Sequence, residues 1–319
     1  MRCHGIIRKY YRKQWNLREQ KKMNAPFMIK FYDFWNQKVT DMWFYKFIQS
    51  RQLLKDSSKT ICFFSTFGNR DTIGKVHGDV NVFFTGENLK RGDHKLFADH
   101  LLSDDRLDLA LGFEHFEDER YVRFPLWIHY MFEPESRDDD VVKRCAELNR
   151  PVIGNRMKFA CHVSSGDELG LREKVCTELS VIERVDCAGK TMHNCDDLWN
   201  VYGNDKNSFL LNYRFNVCPE NSNANGYVTE KVFQSVNAGC VPIYWGDFNR
   251  PEPKVLNRDA ILFWEKDGDN VQLLDFIEQL NASQSLYEDF ASQNRLMESA
   301  AEYVIGKFDQ LERRIKDLL

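Results

Sequence analysis

The residues best suited to chemistry fall in Phe215–Gly246, FNVCPENSNANGYVTEKVFQSVNAGCVPIYWG. Phe215 to Cys218 reads as a buried strand, which Pro219-Glu220-Asn221 ends. Asn221 to Gly226 is rich in Asn, Ser and Gly, residues that turn easily and expose backbone N–H groups. A helix is expected from Thr229, a favourable N-cap, to Ala238. Its buried face is Val232, Phe233 and Val236, and Gly239 stands just past its end. Pro242 is expected near the start of the following strand, Val241 to Trp245. A polar loop feeding a helix N-terminus at a strand's carboxyl end suits an anion, since unpaired N–H groups and the helix dipole point there. Lys231, in the first turn, runs against the dipole preference. It makes sense facing a phosphate, although a solvated surface lysine is the plainer reading of that residue alone. Glu230 suits sugar or ribose hydroxyls, or is an ordinary first-turn acid.

Elements that could position this stretch alternate along the chain. Strands are expected at Met28 to Phe34, Thr60 to Ser65, Asn81 to Thr85, Leu107 to Phe113, Met157 to Val163 and Ala260 to Trp264. Helices are expected at His94 to Leu102, Asp138 to Leu148, Asp167 to Leu179, Val271 to Leu280, Gln284 to Ser299 and Tyr303 to Leu319. Strands interleaved with helices imply parallel sheets covered on both faces. Asn149-Arg150-Pro151 reads as a connector between two such series. The divisions are a basic extension over 1–22, an N-terminal domain over 23–150, a C-terminal domain over 151–300, and a final helix over 301–319 that packs back on the first domain.

With 319 residues, the chain has room for about two domains and needs neither disulfides nor metal to fold. Its hydrophobic share of 43% and charged share of 29% exclude a disordered chain. A net charge of −4 speaks against a nucleic-acid coat. No apolar run approaches the ~18 residues of a membrane span. The cysteines, nine in all, are widely spaced without a CxxC pair and read as reduced and buried, which fits a cytoplasmic protein. Residues 1–22 carry Arg2, Arg8, Lys9, Arg12, Lys13, Arg18, Lys21 and Lys22 against Glu19 alone. A solvated extension is the favoured reading; the other is a basic amphipathic helix in peripheral contact with the inner face of a membrane.

Three ordered blocks give a resemblance. Phe215 through Glu220-Asn221, then Tyr227-Val228-Thr229-Glu230-Lys231, then Val241-Pro242-Ile243-Tyr244-Trp245-Gly246 resemble the signature of the α-1,3-fucosyltransferases, glycosyltransferase family 10, closest to bacterial members. Val82-Phe83-Phe84-Thr85-Gly86-Glu87-Asn88 resembles the family's Thr-Gly-Glu-Asn turn, and Lys158 through Arg172 its phosphate-binding stretch. The likeness spans about Met28 to Gly246. It implies an α/β GT-B fold, two Rossmann-like domains facing a central cleft. It implies transfer of L-fucose from GDP-fucose, with inversion, to an acceptor oligosaccharide, with O3 of GlcNAc or Glc as the hydroxyl.

Inversion is one in-line displacement, so it needs a base for the acceptor proton and positive charge for the departing diphosphate. On the resemblance, Glu87 is the base; by itself it would read as a turn-capping acid. Glu114 and Glu117 are rival carboxylates better read as a charged loop. Lys231 and Arg172 are the diphosphate clamp, Arg through paired hydrogen bonds and Lys as a point charge. Asn221, Tyr227 and Glu230 match donor-site positions. Phe34-Trp35 could stack an acceptor sugar, or be core aromatics. Asp138-Asp139-Asp140 and Asp267-Gly268-Asp269 are read as helix-start acids, and no obligatory metal or other cofactor is expected. The rival functions are the same fold with another sugar donor, and a glycan-binding protein on a degenerate transferase fold.

Overall fold

A computed structural model describes residues 28–35, 37–150 and 156–319. The basic segment 1–22 and the connector at Pro151 lie outside the described residues. The chain divides into two compact units, one of residues up to 112, 117–122 and 310–319, the other of 113–116 and 123–309.

The first unit is built on a sheet in chain order, β1 (Ile29–Tyr32), β2 (Ile61–Phe64), β3 (Val80–Phe84), β4 (Leu109–Gly112) and β5 (Tyr121–Arg123). β1 to β4 pair in parallel. Alternation along the strands sends two aromatic sets to opposite faces. On one face Phe63 stacks between Phe31 and Phe44, at 5.0 and 5.1 Å. Phe44 belongs to the helix Trp43–Ser50, whose Trp43, Phe44, Phe47 and Ile48 are all buried. On the other face Cys62, Phe64 and Phe83 pack with Phe97 and Leu101. The expected helix at His94 to Leu102 is a 3-10 helix, Gly92–His100. Within this unit Arg51 pairs with Glu312 of the final helix, Ala300–Leu318, at 3.1 Å.

The second unit holds β6 (Lys158–His162), β7 (Val185–Cys187), β8 (Tyr213–Val217), β9 (Val241–Tyr244) and the two-residue β10 (Leu262–Phe263). Their order is β10-β9-β8-β6-β7, and every pairing is parallel. From β6 the chain first adds β7 on one side, then β8, β9 and β10 on the other. The order therefore reverses between β6 and β8. Gly239, at φ 70°, ends the helix Glu230–Asn237 as expected. The helix expected from Asp167 begins instead at Leu171, because Gly170 before it is left-handed at φ 63°. The helix expected over Gln284 to Ser299 stops at Ala291. Buried Leu296 then bridges to Leu256. The eight described cysteines are all buried and free. No helix among the described residues is long and apolar enough to cross a membrane.

Candidate functional site

In an open α/β sheet, loops diverge where strand order reverses, and ligands bind in the crevice outside the strand carboxyl ends there. In the second unit that place lies between β6 and β8. The loop after β6 runs from Val163 to Gly170, and the loop after β8 from Cys218 to Val228. Arg172, second residue of the helix Leu171–Leu179, joins them. It donates to Gly166 O in the first loop, and to Pro219 O at 3.2 Å and Asn221 Oδ1 at 2.6 Å in the second. The side chain is only 6% exposed. Its guanidinium thus braces both loops as well as supplying charge.

Thr229 sits at the N-cap of Glu230–Asn237, but its side chain makes no capping bond. Its N–H donates to Glu220 Oε1 at 2.8 Å, and its hydroxyl donates to Glu220 Oε2 at 2.7 Å. Lys231 Nζ donates to Thr229 Oγ1 at 2.8 Å and to Glu220 Oε2 at 3.1 Å. The Glu220 side chain is fully buried and that of Lys231 17% exposed. Lys231 is therefore not a solvated surface lysine. An ammonium has three donors; among the described residues the third makes no hydrogen bond. Burial opposes the charge of Lys231, but Glu220 and Glu230 outweigh it and raise its pKa. Burial likewise opposes the charge of Glu230, while Lys231 and Lys206 hold its carboxyl below the usual range. Lys206 donates to Gln234 Oε1 at 2.7 Å, and burial pushes its pKa down.

His162 ends β6, 2% exposed, with Nδ1 2.7 Å from Val217 O and Nε2 2.7 Å from Ser164 Oγ. Burial pushes its pKa down to about 4, and Arg172 is among the charges that lower it. Arg172, Lys206 and Lys231 thus gather with Glu220 and Glu230 beside the N-terminus of a helix, a setting favourable for an anion.

Tyr227, a donor-site position on the resemblance, is 1% exposed, its ring 4.9 Å from that of Phe113 under the loop. In the first unit Glu87 follows β3 as expected. Its N–H donates to Thr85 Oγ1 at 3.0 Å, and His94 Nε2 stands 4.0 Å from its carboxylate. The Glu87 side chain is 29% exposed. Phe34 is 8% exposed and stacks on Phe84, so its ring belongs to the core; Trp35 is half-buried against Phe67 and Phe84. Asp140 accepts from Arg137 N, and Asp269 accepts from Val271 N, which makes both acidic runs helix-start acids. Among the described residues no group of three or more His, Cys, Asp or Glu could hold a metal ion. Sequence reading missed Glu220 as the partner of Lys231, although the Glu220-Asn221 pair was part of the signature. It also missed Lys206, which lies outside any motif, and His162, which lies inside the Lys158 to Arg172 stretch but was not singled out.

Residues 29–130 match the alpha-(1,3)-fucosyltransferase FucT N-terminal domain, and residues 153–304 match the glycosyltransferase family 10 (fucosyltransferase) C-terminal region. The chain belongs to glycosyltransferase family 10. Alpha-(1,3)-fucosyltransferase FucT of Helicobacter pylori is 28% identical over 268 residues, covering 74% of this chain and 51% of that protein. GDP-fucose protein O-fucosyltransferase 3 of Homo sapiens is 26% identical over 247 residues, covering 73% of this chain and 48% of that one. The chain thus spans about half the length of these curated relatives. A crystal structure of an alpha1,3-fucosyltransferase superposes with a TM-score of 0.60 at 20% identity, covering 89% of each chain. Its counterpart with GDP-fucose gives 0.57. The fold is accordingly of the GT-B kind, carried on two parallel-sheet units.

Proposed function

We propose that this family 10 chain transfers L-fucose from GDP-fucose to a hydroxyl of an acceptor oligosaccharide, O3 of GlcNAc or Glc, with inversion. The observation that carries the reading is the buried Lys231–Glu220–Thr229 group at a helix N-terminus beside a strand-order reversal. Lys231, Arg172 and the helix N-terminus hold the diphosphate. Asn221 orders the Arg172 guanidinium, and Glu230 receives sugar or ribose hydroxyls. Glu87 takes the proton as the acceptor oxygen bonds to the anomeric carbon and the bond to the diphosphate breaks, releasing GDP. The positive field is supplied by side chains, so no metal is required.

A second reading keeps the donor and changes the acceptor. Several relatives are named protein O-fucosyltransferases, which favours a hydroxyl on a protein. Product analysis with GDP-fucose, a panel containing N-acetyllactosamine and a panel of folded proteins tests both. Fucose on the O3 of a glycan supports the first reading, and fucose on a side-chain hydroxyl the second. A chain stabilised against heat by another sugar nucleotide and not by GDP-fucose would refute the donor.

A further inference from the structure

The turn after β9 holds an unusual backbone. Asp247, Phe248, Asn249 and Glu252 have φ of 46°, 49°, 55° and 42°, all left-handed and none of them glycine. Asp and Asn tolerate this region better than Phe or Glu, and a run of such residues persists only where the surroundings over-determine it. Here the surroundings are the loop after β8. Asp247 Oδ1 accepts from Gly226 N at 2.6 Å. Phe248 N donates to Asn223 Oδ1 at 2.7 Å. Glu252 accepts from Arg123 Nη2 at 2.8 Å and from Trp127 Nε1 at 2.7 Å, and the same Arg123 nitrogen donates to Gly226 O at 3.2 Å. Gly226 is therefore held at both its N–H and its carbonyl, by two carboxylate residues of the strained turn, the second through Arg123.

Gly226 also has to be glycine. Its φ is 76°, and a Cβ there would lie 2.7 Å from Phe113 O. Asp247 and Glu252 are 6% and 4% exposed, and burial pushes the Asp247 carboxyl up to about 6. Buried carboxylates on strained backbone are an expensive way to fix a loop, unless that loop's position matters. Three residues after Gly226 comes Thr229, and five after it Lys231.

We propose that Asp247 and Glu252 are positioning residues, which through Gly226 set the Asn221–Val228 loop so that Thr229 and Lys231 meet the donor diphosphate. The proposal rests on the donor reading above. Asp247→Ala removes the acceptor for Gly226 N; Asp247→Asn keeps an oxygen there. Two readouts are needed, amide hydrogen exchange of 221–231 and calorimetric titration with GDP-fucose. Asp247→Ala should raise exchange in 221–231 and weaken donor binding about tenfold, while Asp247→Asn stays near wild type in both. Asn223→Ala changes an exposed side chain and folds whatever Asp247→Ala does; it should raise exchange in the same segment and weaken donor binding a few-fold, with an unchanged melting temperature. Unchanged exchange in 221–231, or unchanged donor affinity, in the folded variants overturns the proposal. A wild-type chain that does not bind GDP-fucose at all refutes the donor reading instead, and the exchange comparison still decides whether the turn sets the loop.

Discussion

The loop after β3 and the loop after β8 both carry proposed reaction residues, yet they are built in opposite ways. Glu87 lies in a turn held by a hydrogen bond to a residue two positions away, with a side chain 29% exposed. Its sheet keeps strands in chain order, so no reversal opens a crevice there. The loop after β8 stands at a reversal and is tied by Arg172, Glu220 and Asp247, all buried. The difference matches the two tasks. A diphosphate site needs fixed dipoles and charges whose desolvation is met in the folded state. A base needs freedom to meet an acceptor and release its proton. On the proposed assignment, the second unit is preorganised for binding and Glu87 is left free for proton transfer.

The strongest way to break this contrast is Glu87→Gln. A general base is worth about 10²–10⁴ in rate, so single-turnover transfer should fall at least about a hundredfold. Near-normal transfer would remove Glu87 from the reaction and direct attention to Glu114. Lys231→Ala comes next. A charge-assisted contact is worth roughly 1.5–3 kcal/mol, so kcat/KM for GDP-fucose should drop about ten- to hundredfold. The variant also leaves buried Glu220 without its cation, which is costly in itself. Lys231→Met combined with Glu220→Gln removes both charges and separates lost binding from lost folding. An unaltered kcat/KM in both variants would make Lys231 structural only.

His162 sharpens the contrast through pH. Its folded pKa, about 4, lies below the ordinary value of 6.5. The unfolded chain therefore takes up the proton first as pH falls. Stability from this residue is whole above about 6.5 and is lost progressively down to about 4. At about 1.4 kcal/mol per tenfold change in proton affinity, the loss is about 3–4 kcal/mol at most. Urea unfolding at pH 7, 6 and 5 should show a steeper decline for wild type than for His162→Gln; equal slopes would refute it. The smallest effect is expected from EDTA treatment and dialysis, after which the initial rate should be unchanged. Activity that vanishes and returns only with Mg²⁺ or Mn²⁺ would contradict a diphosphate site made of side chains.

Much of this was legible in the sequence because local and tertiary preferences agree. The Phe215–Gly246 stretch shows it: Thr229 at a helix start, Gly239 at its end, and apolar runs on either side give the observed strand, helix and strand. Other features depend on partners far along the chain. The helix Trp43–Ser50 is aromatic rather than rich in strong helix formers, and it forms by packing on Phe63 and Phe84. The edge strand Val185–Cys187 is too short for a period to show. Lys231 looks like a surface lysine until Glu220, eleven residues earlier, is placed beneath it. Phe34 and Tyr227 show the same dependence: each sits next to a motif, and only the fold reveals that each is buried.

One measurement tests the central claim most directly, calorimetric titration of GDP-fucose into Glu87→Gln and into the Lys231→Met, Glu220→Gln pair, beside wild type. The account predicts that Glu87→Gln binds the donor within about twofold of wild type. The charge-free pair, folded, should bind about ten- to hundredfold more weakly, the measure of a lost charge-assisted contact. Donor affinity lost in Glu87→Gln and kept in the charge-free pair would contradict it.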